Sequence, residues 1–316
     1  MSVARNRLKT SLKEAHIEHE EKQEQELWDE LPGTEGQERA ERLLVLAQKA
    51  INRSGGKEGL ALAEEALKIY KSMGALASDY DTAKAIKHVA YAYKELNRVD
   101  EAIKVLDGAL HLLRESQAPF LDDTLRQQAI WYSELQKYDE AAELLLEAIR
   151  LNEVDGAEDW VAKDLFNLAH VYDEAGKWEL VIQSAELARS YYKKTKNVYC
   201  VSWCNVNIAH AYTELGDGDL GFIYAQKALD IAQMINDNDL VCKANFVMGM
   251  AQIRRGNFDE AEGLLTSAEM FTNANSDWKF LAKIKREYIN LYRSSGKIAE
   301  AEEVERKLET LLEIVE

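Results

Sequence analysis

Proline is nearly missing, with two residues in 316, so almost no segment is barred from being helical. Both of them, Pro32 and Pro119, fall where the surrounding pattern places loops. Cysteine is scarce as well. Cys200, Cys204 and Cys242 are odd in number and lack paired CxxC spacing, which argues against a disulfide framework or a zinc site and reads as helix packing. No run approaches the ~18 apolar residues of a membrane span, and Met1 to Lys13 is neither an apolar signal core nor a twin-arginine leader, so a cytoplasmic location is expected. Positive charge is short: 39 Lys and Arg stand against 56 Asp and Glu, for a net charge of −17. Nucleic acid and anionic membrane surfaces need clustered cations and are disfavoured as partners. A partner of mixed or basic charge is easier to accommodate.

The signatures of catalysis are missing too. The chain has no Gly-x4-Gly-Lys-Ser/Thr loop, no His-Glu-x2-His pair and no Gly-x-Ser-x-Gly elbow. Its six histidines are dispersed, and His88, His170 and His210 stand one to a repeat, too spread for a tetrahedral metal site. Carboxylate pairs such as Glu174 with Glu214 mean little in so acidic a chain. The expectation is a protein that is not an enzyme and holds no cofactor or metal.

What is present is repetition. A turn, an acidic pair and a small residue recur as Asn97-Arg98-Val99-Asp100-Glu101-Ala102, Gln136-Lys137-Tyr138-Asp139-Glu140-Ala141 and Gly256-Asn257-Phe258-Asp259-Glu260-Ala261. Aligned on its last position, the motif gives Gly59, Ala102, Ala141, Val181, Gly221, Ala261 and Ala301, a period of about 40. Two more columns keep step: Ala66, Ala109, Ala148, Ala188, Ala228, Ala268 and Leu308, and Ala47, Ala90, Ala129, Ala169, Ala209, Gly249 and Ile289. Small residues in register mark places where two helices cross closely. Three residues after the last column stand Tyr93, Tyr132, Tyr172, Tyr212 and Tyr292, a ring expected to fill the space the small residues leave between repeats.

These columns, with the Ala-x2-Tyr pair and the Gly-Lys-Trp or Gly-Asn-Phe turn, resemble the tetratricopeptide repeat family from about Thr34 to Glu316. The period exceeds the family's usual ~34, and the proline that normally closes the second helix is missing. The resemblance implies an all-α, right-handed superhelical solenoid of about seven antiparallel helix pairs. Repeats are expected near 34–80, 81–120, 121–158, 159–198, 199–238, 239–278 and 279–316, with loops near 55, 97, 136, 176, 216, 256 and 296. Residues 1–33 stand outside the pattern as a charged N-terminal helix or cap, in which Leu8, Leu12 and Ala15 share one stripe. Trp131, Trp160, Trp178 and Trp278 read as core or turn packing.

In this family the first helix of each pair lines the concave surface, which implies inward positions for Lys163, Asn167, His170 and Glu174 in repeat four and Trp203, Asn207, His210 and Glu214 in repeat five. Repeat six offers Lys243, Val247, Met250 and Arg254, and repeat seven Lys283, Glu287, Asn290 and Ser294. Asn-x2-His occurs twice, 167–170 and 207–210, one repeat apart. A carboxamide donates and accepts at once, so paired asparagines suit the main chain of an extended peptide. The arrangement resembles the asparagine-lined groove of bacterial peptide-pheromone regulators, the Rap phosphatases among them, without the DNA-binding domain of some branches or an evident Rap-type N-terminal bundle. The candidate peptide site is therefore Lys163, Asn167, His170, Glu174, Trp203, Asn207, His210, Glu214, Lys243 and Arg254. Trp203 stands equally well as an apolar shelf for ligand or as a core residue at a repeat seam. The function expected is an adaptor or scaffold that binds a protein or peptide segment, with a peptide-responsive sensor or a homo-oligomeric assembly as alternatives and a homodimer as one possible state.

Overall fold

The computed structural model describes residues 22–116 and 120–315. The Leu8, Leu12 and Ala15 stripe and Pro119 lie outside the described residues. From Gly36 onward the described chain is fourteen helices in seven pairs: α1 (Gly36–Asn52) with α2 (Gly56–Met73), α3 (Asp79–Glu95) with α4 (Val99–Ser116), α5 (Leu121–Glu134) with α6 (Tyr138–Val154), and α7 (Glu158–Glu174) with α8 (Trp178–Lys194). The series continues with α9 (Val198–Glu214) and α10 (Gly218–Ile235), α11 (Asn238–Arg254) and α12 (Phe258–Asn275), and α13 (Trp278–Ser294) and α14 (Ile298–Val315). Pair two begins two residues before the expected repeat bound, and pairs four to seven each begin one residue before theirs.

Each pair turns on one backbone device. Ser54, Asn97, Gln136, Gly176, Gly216, Gly256 and Gly296 all take positive φ, at or beside every expected loop. In the fourth pair Gly176 N–H donates to Asp173 O at 3.0 Å and Lys177 N–H donates to Tyr172 O at 2.8 Å, the two bonds of a Schellman stop. The column tyrosine thus supplies the carbonyl that accepts the longer-reaching of the two bonds. Its ring is half-buried, under the turn cation at Tyr93 with Arg98, Tyr132 with Lys137 and Tyr292 with Lys297. At Tyr212 it stacks on Tyr224 of the partner helix, centroids 5.6 Å apart, and packs with Tyr224 beside Ala169, Ala185 and Ile208. The ring therefore fills space within pairs as well as between them.

Main-chain proximity explains the small columns. A Cβ on Gly59 would stand 3.2 Å from Ala47 O, and one on Gly221 3.2 Å from Ala209 O, so the two columns meet at the helix crossing of a pair. Ala47, Ala66, Ala90, Ala109, Ala129, Ala148, Ala169, Ala188, Ala209, Ala228 and Ala268 are fully buried. In the last pair larger residues replace them, and Ile289 and Leu308 pack together with Ala282 under Val304, Leu311 and Leu312.

The chain divides into two compact units, Met1–Trp131 and Tyr132–Glu316. In the first, Leu31 joins a core of Leu43, Leu44, Leu46, Leu62 and Tyr70, and Leu27 and Trp28 pack against it. Glu24 pairs with Arg53 at 2.9 Å, and Glu30 pairs with Arg42. The described part of the charged N-terminal segment is thus a docked cap. In the second unit the largest core runs from Val206 through α11 to Leu291. The helix α11 is buried on nearly every side, which its run Val-Cys-Lys-Ala-Asn-Phe-Val-Met-Gly-Met-Ala requires.

Of the expected packing residues, Cys204 and Cys242 are buried, Cys200 is half-buried, and Trp131 is in the core. Trp160 and Trp278 sit at turns and remain nearly half exposed. No helix among the described residues is long and apolar enough to cross a membrane.

Candidate functional site

The first helices of pairs five, six and seven put a common face onto one cleft of the second unit, ≈ 270 Å³ in volume. From α9 come Trp203, Val206, Asn207, His210 and Glu214. These spacings of three and four place all five on one helical stripe. From α11 come Lys243, Phe246, Val247 and Met250, and from α13 Phe280, Lys283, Arg286 and Glu287. Val247 and Met250 are each 3% exposed and form a floor with Val206 and Phe246, while Phe280 closes one side. The charged residues stand around this apolar floor. Lys243 Nζ lies 3.3 Å from the centroid of the Phe280 ring and 3.8 Å from Asp277, so its charge is held over an aromatic face.

One wall is a coupled polar cluster. His210 Nδ1 donates to Asp173 Oδ1 at 2.7 Å, since a carboxylate only accepts, and its Nε2 lies 3.9 Å from Glu214. The edge of Trp178 meets the imidazole, centroids 5.4 Å apart. Burial opposes the imidazolium, but the bond to Asp173 and the negative charges of Asp173 and Glu214 outweigh it and raise the His210 pKa above 6.5. Burial likewise opposes the Asp173 carboxylate, and the His210 bond and charge reverse that, lowering its pKa below 3.8. Glu287 moves the other way: burial first, then the charge of Glu214, raises its carboxyl above the ordinary range.

A pH dependence follows with a definite sign. His210 has a raised folded pKa, so its contribution is fully present below about pH 6.5 and is lost as pH rises through the folded value. Asp173 has a lowered one, so its contribution is present above about pH 3.8 and is lost as pH falls through the folded value. Between those limits the pair contributes most. Unfolding of the wild type and His210→Gln by urea across about pH 4 to 9 should show an advantage for the wild type that shrinks on the alkaline side. A difference that stays constant across neutrality would contradict the raised imidazole.

Only some of the expected site residues converge. Trp203, Asn207, His210, Glu214 and Lys243 line the cleft. Trp203 also packs against the core of the second unit. Arg254 is at the rim, with Nη2 4.0 Å from Glu214 and Nε donating to Thr213 O at 3.3 Å. Glu174 meets Lys283 at 4.0 Å, a contact between pairs four and seven that skips the two between. Lys163, Asn167 and His170 do not line it. The Lys163 ammonium folds over Trp160, 4.7 Å from the ring centroid, Asn167 is half-buried elsewhere on α7, and His170 is exposed. The cleft is therefore built by the first helices of pairs five to seven, with Asp173 added from pair four.

Five lining residues were missed: Asp173, Val206, Phe246, Phe280 and Arg286. A signal for three of them was available, because Val206, Phe246 and Arg286 stand three residues beyond Trp203, Lys243 and Lys283 on the same face. Asp173 gives no such sign, because its partner is a repeat away. Among the described residues no group of three or more His, Cys, Asp or Glu could hold a metal ion.

No protein-family model matches the chain, and no curated protein matches it in sequence. Solved structures share its fold. The apo form of RapI superposes with a TM-score of 0.70 at 15% identity, over 87% of this chain and 98% of RapI. A Rap protein complexed with competence and sporulation factor gives 0.59 at 17% identity, over 87% and 76% of the two chains. The nearly identical TPR-like repeats of a putative kinesin light chain from Podosopora anserina give 0.57 at 17%, over 65% and 100%.

Proposed function

We propose that this chain, whose tetratricopeptide-repeat-like solenoid fold is shared with these repeat proteins at low sequence identity, is a peptide-binding regulator or adaptor. Its ligand, an extended segment carrying both charges, lies in the cleft of pairs five to seven. The observation that carries this reading is the cleft's composition. An apolar floor of Val206, Phe246, Val247 and Met250 suits one buried side chain, and Lys243, Lys283 and Arg286 line the same cleft as Glu214 and Glu287. Asn207, half-buried at the wall, offers both a donor and an acceptor to a main chain. A Rap protein of this fold is complexed with competence and sporulation factor, and a Rap conjugation gene regulator with the Phr* peptide, which supports a ligand-binding use of the fold here.

A sensor is favoured over a passive scaffold by the Glu174–Lys283 contact. It joins pairs four and seven, and Lys283 also lines the cleft, so a ligand that draws Lys283 away from Glu174 changes the spacing of those pairs. Selection from a displayed library of random peptides against the full chain tests the proposal. Selected peptides, synthesised and titrated by calorimetry, should lose about 1 to 2 kcal/mol of binding in Asn207→Ala, because their paired main-chain groups stay dry without a partner. Equal binding to wild type and Asn207→Ala would move the ligand off this wall.

A further inference from the structure

The first unit holds a separate cavity of ≈ 500 Å³ with an unlike chemistry, lined by Gln48 of α1, Tyr80, Lys84, Lys87, His88 and Tyr91 of α3, and Phe120 just before α5. Spacings of four, three, one and three put the α3 residues on one helical face. Every one of these side chains is half-buried, so the cavity is recessed and its lining is not a free surface.

Its charge is unusual for a chain of net −17. The Lys87 ammonium is tethered to Asp123 and held over two rings, 5.3 Å from the Phe120 centroid and 5.9 Å from that of Tyr91. Lys84 has no ion-pair partner among the described residues. His88 Nδ1 sits 2.8 Å from Lys84 O and donates to it, which leaves Nε2 as an acceptor. Burial, and then the nearby charges of Lys84 and Lys87, lower the His88 pKa, so the ring is neutral near pH 7. Two ammoniums thus share the cavity with a neutral imidazole, and Lys87 is the one paired to a carboxylate.

The aromatic wall is equally specific. Tyr80 and Phe120 meet edge to face, centroids 4.7 Å apart. Phe120 holds φ at 61°, a left-handed backbone that a bulky residue rarely takes and that recurs at ligand sites.

We propose that this cavity is a second ligand site, which takes a carboxylate carried on an aromatic or branched apolar group. Lys84 meets the carboxylate with Lys87 behind it, and Tyr80 and Phe120 flank the apolar group. The volume lies in the range of small-ligand sites. The same chemistry comes from a free organic acid or from the C-terminus of a peptide that ends in an aromatic residue. The site is independent of the cleft in the second unit.

Calorimetric titration of the full chain with 3-phenylpropionate, N-acetyl-Gly-Gly-Phe and the amide of that peptide separates these sources. Saturable binding of an acid is expected, with the amide weaker by about ten- to a hundredfold because a charge-assisted bond is lost. Equal affinity for the two acids assigns the site to free acids, and a clear advantage for the peptide assigns it to peptide termini. Lys84→Met should weaken the acids to a similar degree, as should Tyr80→Leu through the apolar half, both with wild-type melting. Asn207→Trp, in the other cleft, should leave acid binding unchanged. The proposal is overturned by an amide that binds as well as the acid, by no saturable binding of either acid, by unaltered affinity in Lys84→Met, or by loss of acid binding in Asn207→Trp.

Discussion

Gly221→Val is expected to cost about 3 kcal/mol of stability, at the upper end of overpacking penalties, and to lower the urea midpoint of the second unit accordingly. Ordinarily, adding a side chain within a helix gains on glycine. Here even a Cβ would stand 2.1 Å from Thr213 Oγ1 and 3.2 Å from Ala209 O. The hydroxyl has no room to retreat: Thr213 is fully buried and donates to Ala209 O at 2.8 Å. Because the clash is with one atom, the effect should be coupled to it. Thr213→Ala removes Oγ1, so Gly221→Ala in that background should cost far less than Gly221→Ala alone. Additive costs, or an unchanged midpoint for Gly221→Val, would mean that α9 and α10 do not cross where the small columns place them.

Asn207→Trp is expected to abolish binding of a library-selected peptide, a loss beyond about a hundredfold, or roughly 2.7 kcal/mol. An indole at this position enters a cleft of ≈ 270 Å³ that a ligand side chain must share. The corresponding change one repeat back, Asn167→Trp, touches a residue outside the cleft and should leave affinity nearly unaltered. Melting curves establish that both variants fold. The comparison is sharp because the Asn-x2-His duplication treats the two asparagines as equivalent, whereas the geometry does not. Loss in both variants would restore a groove extending back to pair four.

The contrast between these two asparagines shows what could be read from the residues alone. The turns and the crossings were legible because they demand particular residue types. Positive φ selects Gly176, Gly216, Gly256 and Gly296, and touching backbones select Ala47, Ala209 or Gly221. Which side chains of each first helix share a face was legible too, since periodicity fixes that stripe. What periodicity does not fix is how that face is used. The cleft opens where Trp203, Phe246 and Phe280 stand on neighbouring helices, while at α7 the Lys163 ammonium turns back over Trp160. The Asp173–His210 pair was hidden for the same reason. It joins residues from successive repeats, and in an acidic chain one more aspartate looks like solvated surface.

Contacts among the described helices run mainly to the next helix along the chain and to the next but one, which is the pattern of a low-contact-order chain. Closing such contacts requires little loop entropy, so a pair can form beside any pair already formed. The meeting of Glu174 with Lys283 departs from that rule, because it waits on every helix between them. An exposed pair of this kind adds little stability and cannot drive folding. It therefore arises last in assembly, as a by-product of accumulated helix geometry, and small errors in each intervening crossing add up at this one point.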